Sequence, residues 1–162
     1  MRDYQKYATV VAVFAAVLYA ALVVAAFGMI SLLTNRDVIT DPNAGLLVGP
    51  SMTAAASLVV FLLMLLLGLR SRPENQRIAV GYALGTGFAA FAAFVLVGTI
   101  LFALNAGLPA DSIAFAGSVL LGPFAATAGI IGFIVTLVYS MVLASRMPER
   151  GRPLWPWERR DD

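Results

Sequence analysis

Apolar residues run along this chain in four long blocks, 7–33, 46–69, 78–104 and 112–145, and no block contains Asp, Glu, Lys, Arg or His. A helix rises ~1.5 Å per residue, so ~20 apolar residues cross the ~30 Å of hydrocarbon in a bilayer. Each block is long enough. Backbone amides and carbonyls in lipid must be paired within the segment, which leaves the helix as the form each block can take. The pattern predicts an all-α membrane protein, a four-transmembrane-helix bundle in a single membrane domain over 1–162. The first block exceeds the ~7–15 apolar residues of a secretory signal and is read as an uncleaved helix.

The polar residues between and inside the blocks recur in order. Gln5-Lys6-Tyr7-Ala8 is followed by Gly28, Asn35, Asp41, Ala44, Gly49-Pro50 and Pro73-Glu74. Gln76-Arg77-Ile78-Ala79 is followed by Gly98, Asn105, Asp111, Ala114, Gly122-Pro123 and Pro148-Glu149. The pattern predicts two tandem helical hairpins, over 1–74 and 75–149, in parallel repeat about an axis along the membrane normal. Asp41-Pro42 and Asp111-Ser112 read as helix starts, with Asp as the cap. Gly49, Pro50, Gly122 and Pro123 then interrupt the second helix of each hairpin. Proline removes a helix hydrogen bond and clashes with the preceding turn, so kinks or short outer helices that break off are expected at both sites.

Charge adds orientation. Arg2, Lys6, Arg70, Arg72, Arg77, Arg146, Arg150, Arg152, Arg159 and Arg160 fall on one side of the predicted spans, and only Arg36 on the other. The positive-inside bias makes the first side cytoplasmic, with both termini inside, in a plasma (inner) membrane. These residues edge the membrane and form no basic domain, so the net charge of +2 gives no support for nucleic-acid binding. The chain has no Cys and no His. That removes thiolate chemistry, disulfides, histidine-ligated metals and the commonest general base. The span hydroxyls have no base beside them. A non-enzymatic protein without cofactor or metal is expected.

Small residues mark the expected contact faces. Gly81 and Gly85 are four apart on the third span, and Gly87 follows, with Ala89, Ala90, Ala92 and Ala93 after it. Gly129 lies four after Ala125 on the fourth. Such spacing lets helix backbones approach closely, within one bundle or against a partner helix. The second span, nearly all Leu, Val, Met and Phe from Leu58 to Leu67, suits lipid exposure. The tail 147–162 carries Pro153, Trp155, Pro156 and Trp157 among arginines. It suits either an anchor on the inner membrane surface or an extended docking peptide.

Coupled transport is disfavoured by the sequence. From Pro50 to Arg70 is 20 residues, about 30 Å of helix, which places the proline at the outer boundary and not at the midplane where carrier sites lie. No ionisable residue lies within a span.

Ten Arg against one Lys, Ala-rich spans and the tail Arg152-Pro153-Leu154-Trp155-Pro156-Trp157-Glu158 resemble uncharacterised small four-span integral membrane proteins of high-GC Gram-positive bacteria. The resemblance implies no activity and carries no site residues. The expected function is a non-enzymatic scaffold or accessory subunit of a plasma-membrane complex. The expected partners are membrane lipids and either a membrane protein or further copies of the chain. The alternatives are an oligomeric pore or facilitator, with Gly85 and Gly129 facing inward, and a lipid- or lipophile-binding protein with its site between the hairpins near the Gly-Pro positions.

Overall fold

The computed structural model of the protein describes residues 2–39, 45, 47–70, 78–106 and 109–145. All regular structure among them is helical: α1 Arg2–Thr34, α2 Val48–Arg70, α3 Val80–Ala106, α4 Pro109–Leu120 and α5 Pro123–Ser145. Helices α1, α2, α3 and α5 are long and apolar enough to cross a membrane. At 12 residues α4 is too short.

The fourth apolar block, expected as one span over 112–145, is therefore two helices, and only 123–145 has the length to cross. Proline chemistry explains the division. The Leu121 amide still bonds to the Gly117 carbonyl at 3.1 Å, and the Gly122 amide tightens onto Val119 at 3.1 Å. Pro123 then opens α5 as its first residue, where a missing N–H leaves no bond unmade. The short outer helix expected at Gly122-Pro123 is α4. Gly49 and Pro50 behave differently. They lie in the first turn of α2, which begins at Val48, so neither kinks a described helix. Asp41 and Pro42 lie outside the described residues. Asp111 is not the cap expected of it: α4 begins two residues earlier at Pro109, and Asp111 sits in its first turn. There its charge complements the helix dipole. At the other end of this hairpin pattern, α1 stops at Asn35, which adopts a left-handed φ of 50°, a conformation asparagine tolerates.

The four long helices close a ring in the order α1, α2, α3, α5, and α2 and α5 also touch across it. The α4 helix packs on α3 and α5 at the end where the α1–α2 connection lies, hereafter the loop end. The opposite, terminal end holds the start of α1 and the finish of α5.

The buried residues of α2 are Val48, Met52, Ala56, Val60, Met64 and Gly68, one in every four. Four residues overshoot a helical turn by ~40°, so this stripe winds roughly 200° around α2 from Val48 to Gly68. The winding changes its neighbours. Met52 lies against Gly98 of α3, whereas Gly68 lies against Ala8 of α1 and Tyr139 of α5. The exposure expected of 58–67 thus holds for part of it. Leu58, Leu62 and Leu66 are exposed, while Val60 and Met64 are core.

Aromatic contacts fill the interior toward the loop end. Phe27 of α1 meets Phe94 of α3 edge-on at 5.5 Å and Phe124 of α5 at 5.3 Å, the geometry that sets a ring edge against a π face. Phe115 of α4 stacks on Phe102 of α3 at 4.4 Å. That stack, with the buried Val119, holds α4 in place.

Candidate functional site

The interior is a packed core. Tyr19, Met52, Phe94, Phe102 and Tyr139 are among its largest side chains, each at most 2% exposed. Its polar groups are used structurally. Tyr19 of α1 donates to the Ala128 carbonyl of α5 at 3.2 Å, and Tyr139 of α5 donates to the Ala8 carbonyl of α1 at 3.1 Å. Tyr19 lies 11 residues after Ala8, and Tyr139 lies 11 after Ala128, so the two bonds bridge the antiparallel pair reciprocally, three turns apart. A third tyrosine, Tyr82 of α3, donates to the Leu63 carbonyl of α2 at 2.6 Å. Serine and threonine hydroxyls in the helices bond back one turn, as Thr86 does to Tyr82 at 3.0 Å and Thr99 to Val95 at 2.8 Å. Thr136 Oγ1 is a buried side-chain oxygen without a hydrogen-bond partner. No group of three or more Asp, Glu, His or Cys able to hold a metal occurs among the described residues.

The glycines marked in the sequence divide into two sets. Gly87 and Gly129 form the close crossing of α3 and α5. A Cβ built on Gly87 would stand 2.7 Å from the Gly129 carbonyl oxygen and 3.0 Å from Phe133 Cβ. One on Gly129 would stand 3.1 Å from the Gly87 oxygen. Backbone cannot move aside, so these positions require glycine. Gly81 and Gly85 are in the opposite situation. Both are exposed, and a Cβ on either would meet nothing within 4 Å. They lie on the outer side of α3, in line with the half-exposed Ala89 and Ala92. The bundle makes no use of their closeness.

A full-length family match stands beside this geometry: the model of one family covers residues 1–162. The chain belongs to DUF6121, a family of unknown function. No curated protein matches the chain. No solved structure matches it either. Membership agrees with the resemblance in assigning no activity, and it says nothing of source organism or membrane class. Within this DUF6121 chain the chemistry has to be read from the surfaces.

One surface is concave. A groove of about 1240 Å³ runs between α1 and α2 at the loop end, with Ala20, Val24 and Phe27 on one wall and Pro50, Ala54 and Leu58 on the other. Val38, Ile39 and Gly45 close its top, and Asp37 stands at its mouth. Gly49 and Pro50 therefore join a cavity, but within the first hairpin and not between the hairpins. Gly122 and Pro123 lie apart from it, at the joint of α4 and α5. Sequence reasoning passed over Ala8, Gly68 and Gly132, the small residues that receive Tyr139 and the α3 backbone. Two tyrosines placed mid-span were the available signal, since a phenol in an apolar interior needs an acceptor and a gap beside it. The tail residues Pro153, Trp155, Pro156 and Trp157 lie outside the described residues.

Proposed function

We propose that this DUF6121 protein is a multi-pass plasma-membrane protein that acts as a non-enzymatic scaffold or accessory subunit of a membrane complex, gripping its partner along the outer side of α3. The observation that carries this reading is the open space over Gly81 and Gly85. Glycine in a helix interior costs roughly 1 kcal/mol relative to alanine; at Gly85 no neighbour within reach of a Cβ offsets that cost, and Gly81, in the first turn of α3, extends the same open strip. A partner helix lying along Gly81, Gly85, Ala89 and Ala92 would recover it through close backbone approach. The packed interior agrees with a structural role.

The arginine distribution supports both termini in the cytoplasm. There the tail with Trp155 and Trp157 would anchor at the membrane surface or dock. The ring order agrees with tandem hairpins: exchanging α1 with α3 and α2 with α5 maps the ring onto itself. A pore lined jointly by Gly85 and Gly129 draws less support, because Gly85 is exposed while Gly129 packs on Gly87.

The test is detergent-free extraction of the native membrane into lipid nanodiscs, with mass spectrometry of what copurifies. A stoichiometric protein partner is expected. It should be lost on Gly81→Leu or Gly85→Leu while the Tm of the protein holds or rises, since a Cβ at either position meets nothing in the bundle and leucine favours the helix over glycine. A chain recovered alone as a monomer, or a partner indifferent to both substitutions, would refute the proposal.

A further inference from the structure

We infer that the groove between α1 and α2 is a binding site for one acyl chain of a membrane phospholipid, with an amine-bearing headgroup beside Asp37. This is independent of any partner on α3, which is on another helix of the ring.

The walls select the ligand. Ala20, Val24, Phe27, Ala54 and Leu58 present hydrocarbon. The two hydroxyls in the groove have already spent their protons: Thr53 donates to the Gly49 carbonyl at 3.2 Å and Ser57 to the Thr53 carbonyl at 2.8 Å. The deep part of the groove thus has no side-chain donor left for a polar ligand, and a saturated chain satisfies it. A ligand that needs hydrogen-bond donors would lose its hydration there without recompense.

Position and shape select a lipid over a soluble lipophile. Leu58 stands 12 residues before Arg70 on α2, about 18 Å from that end, and ~12 Å of helix separates it from Pro50. The groove therefore begins near the middle of the ~30 Å hydrocarbon layer and ends at its boundary, the depth of one leaflet. It is open sideways, since Val24 and Leu58 remain 63% and 57% exposed, so a chain would enter from the bilayer without crossing water. The loop end of the other hairpin is covered by α4, through Phe115 on Phe102. The first hairpin has the open corner.

The mouth selects the headgroup. Asp37 is the one ionisable residue among the described lining, exposed where the helices end. With the exposed Arg36 next to it in the chain, this carboxylate suits a zwitterionic headgroup, whose ammonium it can pair while the arginine is available to the phosphate, over one of net negative charge.

The experiment uses the full chain in nanodiscs doped with phosphatidylethanolamine carrying a photoreactive diazirine on its acyl chain, then peptide mapping. Label should concentrate on 20–27 and 50–58. Ala54→Phe and Ala20→Phe, which fill the groove from either wall, should each lower it about tenfold, the change that ~1.4 kcal/mol of lost affinity produces. Ile130→Phe, on exposed α5 surface, should leave it unchanged, and the Tm of each variant shows that it is folded. With diazirine phosphatidylglycerol the same segments should label less, and Asp37→Asn should narrow that difference. Label spread evenly over exposed positions such as Phe14, Leu96 and Ile130 would overturn the site, as would label at 20–27 and 50–58 that survives both filling substitutions. Equal labelling by the two lipids would overturn the headgroup assignment.

Discussion

Replacing Gly68 with alanine should unsettle three helices at once, and a second substitution should partly repair the damage. The added methyl would occupy space held by the Tyr139 hydroxyl and would stand 3.0 Å from Ala8 Cβ. Tyr139 is 2% exposed, so it cannot swing into solvent. Its hydroxyl must leave the Ala8 carbonyl, now 3.1 Å away. Overpacking of this kind costs ~1–3 kcal/mol, and an interhelical hydrogen bond in a membrane protein averages ~0.6 kcal/mol. The gain in helix propensity from Gly to Ala returns about 0.9 kcal/mol. The net loss is then roughly 0.7–2.7 kcal/mol. Tyr139→Phe alone should cost about 0.6 kcal/mol or a little more. In Gly68→Ala/Tyr139→Phe the obstructing oxygen is gone, and the ring carbon that bore it would lie 3.6 Å from the new methyl, ordinary contact. The double variant should therefore be at least as stable as Gly68→Ala, with a coupling energy of ~1 kcal/mol or more in the double-mutant cycle. Unfolding of the four proteins in mixed micelles, followed by far-ultraviolet circular dichroism, measures all the terms. Strict additivity would refute the claim that Gly68 exists to admit the Tyr139 hydroxyl.

Gly87→Leu and Gly129→Leu should each unfold the protein or lower its Tm steeply, because the obstruction is backbone, whereas Gly85→Leu should melt at or above the parent's temperature, having gained helix propensity; thermal melts of the three decide it. Thr136→Val should hold or raise stability by up to ~1 kcal/mol, since it removes a buried hydroxyl that lacks a partner; a lower Tm would reveal a role for that oxygen. Pro123→Ala, at the first position of α5, should cost only about 0.4–1 kcal/mol through greater freedom of the unfolded chain. A larger loss in the same melts would mean that the break between α4 and α5 depends on the proline.

The helices were legible because lipid-scale apolar runs without charge admit few alternatives. An interruption at Gly122-Pro123 was legible as well, since proline chemistry is local, but not whether it would kink the helix or divide it. The contrast with Gly49-Pro50 was not. Both dipeptides read alike, yet one follows a 12-residue helix and the other lies in the first turn of α2. Which glycines touch was equally hidden. Gly81, Gly85 and Gly87 lie on one helix within two turns, and only the rotation of α3 against α5 determines that Gly87 is inside. The apolar faces carried no direction, since these helices are hydrophobic all round. The groove was legible only in part: Gly49 and Pro50, which line it, stood out in the sequence, but not that it would lie within the first hairpin.

The reciprocal tyrosine bonds between α1 and α5 join the first helix made to the last. Ala8 and Tyr139 are 131 residues apart in the chain, and Tyr19 and Ala128 are 109 apart. At ~5–20 residues per second, synthesis of these intervals takes roughly 5–26 s. In a membrane, α1 would wait through that time without the Ala128 carbonyl that takes the Tyr19 hydroxyl and without the Tyr139 hydroxyl that bonds Ala8. The ring is thus latched only on completion. A chain cut short before α5 would leave an unclosed three-helix arc whose first helix exposes a phenol to lipid, a form that membrane quality control can distinguish from the finished protein.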